Sequence, residues 1–251
     1  MTRVILYPTN DTDRLAFLRT ALAVAQQDQS LGRPRLHMET MTNLASQLQA
    51  FDTARQDVIQ AKAAYGQARI AADSANRALQ AKVRQVWSTV NWRVRWQGVS
   101  SQVRTFYGLP QDGPTPFPTS RAGWLAVAEQ ILAGDPQAVE AGFESAMDAG
   151  AFQPVLDQAQ TALDALAGVK QDLRLAQKQL ATLRRSVDRL TRRIAQDLRY
   201  ALRDEAASLQ REIMRTYGIR FERNPGEAED DTLVLDASGS SRDMTTGPLL
   251  T

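Results

Sequence analysis

The chain has 251 residues, of which 43% are hydrophobic and 23% charged, with a formal net charge of +2, as is usual for a folded globular protein. The absence of cysteine excludes disulfides, thiolate catalysis and cysteine-based metal sites. No apolar run reaches about 18 residues, so we expect no transmembrane helix and take the cytoplasm as the expected location.

The first segment, residues 1–34, combines a strand-like run with a short helix. The stretch TRVILYP contains Val4, Ile5 and Leu6 in succession, which favours a strand. Asn10 then precedes an amphipathic run that is typical of a capped helix. Because a lone strand needs an edge, we expect the termini to pair with each other or with those of a neighbouring subunit.

Residues 35–109 form the first long helical region. Apolar residues recur every seven positions at Leu44, Phe51, Val58, Tyr65, Ala72, Leu79 and Val86, with a second column at Ala54, Ala61, Ala68 and Ala75. Repeated spacings of three and four indicate a coiled coil. Alanines let two helix axes approach closely, so we expect a tightly packed, antiparallel partner helix.

The stretch VWSTVNWRVRWQG, Val86 to Gly98, contains three of the four tryptophans. Its centre alternates like a strand, but only a helix also accounts for the residues on both sides. The helix has one apolar stripe through the valines, and a second on nearly the opposite side at Trp92, Trp96, Val99, Val103 and Phe106. Tryptophans at helical spacing beside valines favour a core position. The second stripe predicts another packing layer or an intersubunit contact.

The same region is basic. Residues 74–111 contain six basic side chains and no acid, and single-strand binding surfaces combine such charges with aromatic rings. The polyanion-binding candidates are Lys82, Arg84, Arg93, Arg95 and Arg104. No signature of a known nucleic-acid-binding fold is present. A membrane-surface helix should be apolar on one side only, which disfavours that role here.

Residues 110–153 are predicted to form a loop rich in proline and glycine, followed by short helices with Thr119 or Ser120 as N-cap. Residues 154–223 form the second long helical region. Its heptad columns contain Leu166, Leu173, Leu180, Val187, Ile194 and Ala201, and Val169, Ala176, Leu183 and Leu190. The apolar stripe then shifts to Leu198, Leu202, Leu209 and Ile213, so we expect a continuous helix whose buried face turns.

The two long regions end alike, in RTFYGL (residues 104–109) and RTYGI (residues 215–219). A glycine after an aromatic residue at the end of a helical pattern indicates a C-cap. The heptad registers do not superpose when Tyr107 and Tyr217 are aligned. We therefore interpret the likeness as shared capping and do not infer a duplication.

Seven arginines lie between residues 184 and 203, interspersed with acids. The pairs Asp188–Arg192 and Arg193–Asp197 have helical i,i+4 spacing, which indicates a solvated, ion-paired face. The alternative is that this face binds the acidic tail of the same or another subunit. That tail, residues 224–251, has six acids against Arg242. We expect it to be largely flexible, with a strand-like run at Leu233, Val234 and Leu235.

Motifs for chemistry are not apparent in the sequence. The single histidine, His37, is interpreted as a cap or surface residue. No phosphate-binding loop, dinucleotide fingerprint, nucleophile elbow or zinc motif is present. We therefore predict a non-enzymatic protein with no catalytic residue, metal or cofactor.

The predicted fold is all-α: an elongated helical hairpin or bundle with coiled-coil packing of two very long helices and short strand-like termini. We predict a structural protein that self-associates into a homo-oligomer or filament through coiled-coil surfaces and terminal strands. The interface candidates are Val4, Ile5, Leu6, Trp92, Trp96, Val99, Val103, Phe106, Leu233, Val234 and Leu235. The alternative function is polyanion or nucleic-acid binding through residues 74–111.

Overall fold

The computed structural model describes residues 5–222. In chain order the elements are β1 (Ile5–Leu6), α1 (Asp11–Ser30), α2 (Met38–Trp96), α3 (Val103–Phe106), α4 (Arg121–Glu140), α5 (Ala149–Ala201), α6 (Ala207–Thr216) and β2 (Arg220–Phe221). The predicted all-α hairpin is confirmed. Helices α2 and α5, with 59 and 53 residues, pack along each other, and α2 alone spans about 90 Å.

The two long helices are antiparallel, as predicted. The start of α2 packs against the end of α5 in one hydrophobic core, and the end of α2 packs against the start of α5 in another. The predicted heptad column of α2 faces this seam: all of its members are buried except Tyr65, which is partly buried. The heptad pattern therefore identified the buried face of α2 correctly.

Each end of the hairpin has its own core. At the sheet end, defined by β1, α1, α6, β2 and the adjoining parts of the long helices, the core includes Phe17, Phe51 and Ile194. At the tryptophan end, defined by α3, α4 and the adjoining parts of the long helices, it includes Trp87 and Trp124. Between them, no side chain of residues 59–71 or 167–179 is buried. This waist is two helices thick for roughly 20 Å.

The two halves of the chain repeat one arrangement: a 20-residue helix, a very long helix, and a short helix followed by Tyr-Gly. Nine of the twelve buried positions of α2 recur as buried positions of α5 108 residues later, as Leu79 and Val187 do. The other such pairs are Leu44 and Phe152, Phe51 and Ala159, Val58 and Leu166, Ala72 and Leu180, Val83 and Thr191, Val86 and Ile194, Trp87 and Ala195, and Val90 and Leu198. The likeness between the two tyrosine-glycine endings is therefore part of a structural repeat and not capping alone.

The flanking segments repeat at a slightly different interval. The N-cap side chains of α1 and α4, Asn10 and Ser120, accept hydrogen bonds from Asp13 N–H and Gly123 N–H. They follow the matching sequences YPT and FPT. Both caps, and both tyrosine-glycine endings, lie 110 positions apart. This shift of two residues relative to the long helices is why their heptads fail to superpose when the tyrosines are aligned.

Both long helices end earlier than expected. We predicted one stripe running from Trp92 through Phe106 along a single helix, and this is wrong because α2 ends at Trp96 and Gly98 turns the chain with a φ of 68°. A continuous second helix as far as Ile213 is also wrong, because α5 ends at Ala201 and α6 is separate. At its start, α5 reaches back to Ala149, so its first turn lies before the predicted residue 154.

The described parts of the termini pair within the chain, which was one of the two expected outcomes. Ile5 lies opposite Phe221 and Leu6 opposite Arg220 in an antiparallel two-stranded sheet. Ile5 is buried and Leu6 is half exposed. Val4 and the candidates Leu233, Val234 and Leu235 lie outside the described residues, as does the whole predicted acidic tail.

Candidate functional site

The candidate site is the outer surface of the last two turns of α2. Trp92 is 53% exposed and Trp96 68% exposed. The expectation that these two tryptophans lie in the core is wrong. They are four residues apart and so share one face of the helix, directed away from the seam with α5.

The end of α2 fixes the position of this surface. Gln97 N–H and Val99 N–H both donate to the carbonyl oxygen of Arg93, at 3.0 and 3.4 Å. With Gly98 in the left-handed region, this is the glycine-based C-cap that ends many helices. The backbone under Trp96 is therefore held by the cap and not by core packing.

Trp87 is the member of the stretch that belongs to the core. It is 2% exposed, and its indole N–H donates a 2.8 Å hydrogen bond to the carbonyl oxygen of Tyr107. Its ring contacts those of Phe117 and Trp124, with centroids 5.8 and 6.1 Å away. The prediction of a core tryptophan is therefore confirmed at Trp87 alone within the stretch.

The other residues of the predicted stripe do not extend the exposed surface. Val99 and Phe106 are partly buried, and Phe106 contacts Phe143 with ring centroids 6.1 Å apart. Val103 is 4% exposed and belongs to the core of the tryptophan end. Of the candidates on this stripe, the structure thus leaves Trp92 and Trp96 on the surface.

The five polyanion-binding candidates do not form one patch. At about 100° per residue, Lys82 and Arg93 lie on one side of α2, and Arg84 and Arg95 lie on nearly the opposite side. The Arg93 guanidinium donates to the carbonyl oxygen of Glu144 at 2.7 Å and lies 3.6 Å from its carboxylate. Arg104 donates to two carbonyl oxygens of the following loop. These contacts reduce the charge available to a polyanion.

Arginine nevertheless borders the exposed tryptophans. The Arg95 guanidinium lies 5.2 Å from the ring centroid of Trp96, within the range of a cation–π contact. At the sheet end, Tyr200 lies 108 positions after Trp92 and is 64% exposed, and Arg203, 108 positions after Arg95, lies 5.1 Å from its ring. Each end of the hairpin therefore displays an aromatic ring beside an arginine.

Buried polar networks hold both ends together and were not predicted. The Tyr107 hydroxyl donates to Asp135 at 2.6 Å, and Ala146 N–H donates to both groups. At the sheet end the Tyr217 hydroxyl donates to Asp28, which also accepts from Arg35 at 2.7 Å. Burial, together with these carboxylate partners, raises the pKa of both phenols. The tyrosines therefore stay protonated and serve as structural donors.

The predicted charge pairs on α5 are realised in part. Arg193 pairs with Asp197 at 3.2 Å, as expected. Asp188 instead pairs with Arg14 of α1 at 2.8 Å, and Arg192 lies over the ring of Tyr7 at 5.9 Å. His37 is the N-cap residue of α2 and is exposed, and its backbone N–H donates to Asp197.

Comparison with protein-family models, with curated proteins and with solved structures finds no match. Among residues 5–222, no helix is both long and apolar enough to cross a membrane. The same residues contain no group of three or more histidine or acidic side chains placed to hold a metal ion.

Proposed function

We propose that this protein is a non-enzymatic structural element, a rod that associates with further copies of itself into a homo-oligomer or filament. The surface formed by Trp92 and Trp96 is the proposed contact. The cytoplasm is the proposed location, in keeping with a chain that has no cysteine.

The exposure of these two tryptophans is the observation that supports the proposal. Tryptophan is enriched among the residues that dominate protein–protein binding, and two adjacent indoles on one helical face form an apolar patch. They lie at one extremity of a long hairpin, where a contact joins rods end to end. A head-to-tail contact between this surface and a different surface of the next copy gives an open chain when it does not close into a ring, whereas pairing of the surface with itself gives a dimer.

The terminal strands play a smaller part in this proposal than the sequence predicted. Ile5 and Leu6 already pair with residues 220–221 of the same chain. Exchange of these strands between subunits would have to break that pairing. A neighbouring chain can still add to an outer edge of the small sheet, but the tryptophan surface needs no such rearrangement.

Polyanion binding is the second candidate function, and the contact between Arg95 and Trp96 favours it. Base stacking on exposed aromatic rings beside arginine is a common mode of single-strand binding. The division of the basic residues between two sides of α2, and the intrachain contacts of Arg93 and Arg104, weigh against it. Self-association therefore remains the first proposal.

The test is a Trp92→Ala, Trp96→Ala double variant of the full chain. Because neither ring is in the core, helix content and unfolding temperature should stay close to wild type. Sedimentation velocity should show association weakened roughly 30-fold or more, the loss expected for about 2 kcal/mol at a binding hot spot.

The matched control is Ile59→Ala, Ile70→Ala, which removes two exposed apolar side chains at the waist. Unchanged association is expected for the control. Loss of association in the control but not in the tryptophan variant would refute the proposed contact. A monomeric wild type that binds a single-stranded oligonucleotide through these tryptophans, with steep salt dependence, would support the second candidate instead.

A further inference from the structure

The outer face of α5 carries a row of basic side chains. Arg185, Arg189, Arg192 and Arg199 are all exposed, as are Arg174 and Lys178 further towards the waist. At about 100° per residue these six fall within roughly 80° of one another, on the side opposite the seam with α2. We call these six residues the basic face of α5.

This basic face is not neutralised by the rest of the described chain. Within residues 5–222, none of Arg185, Arg189, Arg192 and Arg199 has an acidic partner within ion-pair distance, and Arg192 lies over the ring of Tyr7. Two acids beside this part of α5 are engaged elsewhere, since Asp11 pairs with Arg184 and Asp188 with Arg14. An uncompensated row of like charges is a binding surface for an acidic partner.

The chain contains a segment of matching charge. Residues 224–251 have six acids against one arginine, and five of those acids lie within the run EAEDDTLVLD, residues 227–236. We call this run the acidic segment. It also contains Leu233, Val234 and Leu235, for which the exposed ring of Tyr200, next to Arg199, offers an apolar contact.

Strand β2, which the acidic segment follows in the sequence, lies close to the basic face. β2 ends at Phe221 and pairs with β1, and Tyr7, directly after β1, lies under Arg192. From Phe221 an extended chain reaches at most about 50 Å by Asp236. Arg185 and Arg199 lie only about 10 Å along the helix on either side of Arg192, well within that reach.

The exposed tryptophans are out of reach of the same segment. Given the antiparallel pairing of the long helices, Trp92 lies about 70 Å along the hairpin from the level of Arg192. The basic face of α5 is therefore within reach of the acidic segment, whereas the tryptophan surface is not. A short tether gives an effective concentration in the millimolar range, which favours contact within the chain.

We propose that the acidic segment, residues 227–236, docks on the basic face of α5 in the same chain and masks it. The carboxylates pair with the exposed arginines, and the apolar run lies against Tyr200. This contact is independent of the tryptophan surface, so it stands or falls separately from self-association.

The test uses a fluorescent peptide of residues 224–251 as a probe and full-length chains as targets. In one target the segment is neutralised by Glu227→Gln, Glu229→Gln, Asp230→Asn, Asp231→Asn and Asp236→Asn. At low salt the peptide should bind this target at least tenfold more tightly than wild type, because the wild-type segment occupies the site. The tenfold difference should persist when the protein is diluted, as an intrachain competitor requires.

Adding Arg185→Gln, Arg189→Gln and Arg199→Gln to the neutralised chain should weaken peptide binding at least tenfold. The matched control, Lys62→Gln, Arg77→Gln and Lys82→Gln, removes the same charge from α2 and should leave binding unchanged. Equal peptide affinity for wild-type and neutralised chains, or insensitivity to the three arginine changes, would overturn the proposal. So would the absence of peptide binding to the neutralised chain.

Discussion

The two ends of the hairpin have the same order of helices but are joined by different side chains. At the tryptophan end, Trp87, Phe117 and Trp124 form an aromatic cluster with Arg84 against two of the rings. At the sheet end the place of Trp87 is taken by Ala195. There the 20-residue helix α1 is held to α5 by the ion pairs Arg14–Asp188 and Asp11–Arg184.

The first residues of the two 20-residue helices, α1 and α4, show the difference between the ends most directly. Asp11 begins α1 and pairs with Arg184 of α5, whereas Arg121 begins α4 and pairs with Asp73 of α2. The two helices begin at equivalent positions, but Arg184 lies one helical turn beyond the position equivalent to Asp73, and the two ion pairs have opposite polarity. A repeated fold can thus keep its buried positions while its surface contacts diverge, because burial restricts volume and polarity more strictly than it restricts the sign of a surface charge.

Among the changes that test this comparison, removal of the Trp87 side chain should have the largest effect on stability. Trp87→Ala deletes a fully buried ring and leaves the carbonyl oxygen of Tyr107 without its indole donor. We expect a loss of about 3–5 kcal/mol in the free energy of unfolding, measured by chemical denaturation. Trp96→Ala is the control and should change that free energy by less than about 0.5 kcal/mol. Equal losses in both variants would show that the division into core and surface tryptophans is wrong.

A second difference between the ends is how closely the 20-residue helix packs against its neighbours. A Cβ atom at Gly134 of α4 would overlap the carbonyl oxygen of Phe106 in α3, whereas the equivalent position in α1 is Val24. Gly134→Ala should therefore lower the melting temperature, at a cost of about 1–3 kcal/mol.

Gly168→Ala on α5 is the matched control for this substitution, since nothing lies near its Cβ position. It should stabilise the chain by up to about 1 kcal/mol, because alanine favours a helix more than glycine does. If Gly134→Ala were as stable as Gly168→Ala, the close approach of α3 and α4 would be ruled out.

The smallest expected effect is on the way in which stability depends on pH. The hydrogen bond and charge of Arg184 hold the pKa of Asp11 below its usual value. Stability from this pair is therefore fully present above the unfolded pKa, about 3.9, and is lost as pH falls through the lower folded pKa. Asp11→Asn should cost about 0.2–1 kcal/mol at pH 7 and nothing once wild-type Asp11 is protonated.

Thermal unfolding of wild type and Asp11→Asn between pH 7 and pH 2 measures this difference. Asp157→Asn, which removes the charge of an exposed acid of α5, is the control for the loss of a carboxylate as such. A gap between wild type and Asp11→Asn that stays constant down to pH 2 would contradict the assigned role of the pair.

The sequence predicted what depends on periodicity and missed what depends on local geometry. The columns through Leu44, Phe51 and Leu79 identified the seam because every turn of a long coiled coil repeats the same constraint. The end of α2 was misplaced because one glycine, Gly98, outweighs a favourable pattern on both sides of it. A hydrophobic pattern that is read over many residues does not detect the effect of a single glycine.

Neither the repeat nor the exposure of the two tryptophans was recognised from the sequence. The two halves differ by two residues between their caps and their long helices, so alignment on Tyr107 and Tyr217 hides the match. Comparison of YPTN with FPTS, residues 7–10 with 117–120, would have revealed it. Trp92 and Trp96 were expected either in a core or in an intersubunit contact, because spacing shows which residues share a face. It does not show whether a partner covers that face.

The most direct test of the proposed self-association is the molar mass of the wild-type chain in solution, by light scattering after size exclusion over a range of concentrations. We predict masses that rise with concentration well above the 27.8 kDa of one chain, with elongated particles in negative-stain images. A constant mass of one chain at every concentration would contradict the proposal and leave the exposed tryptophans to another partner.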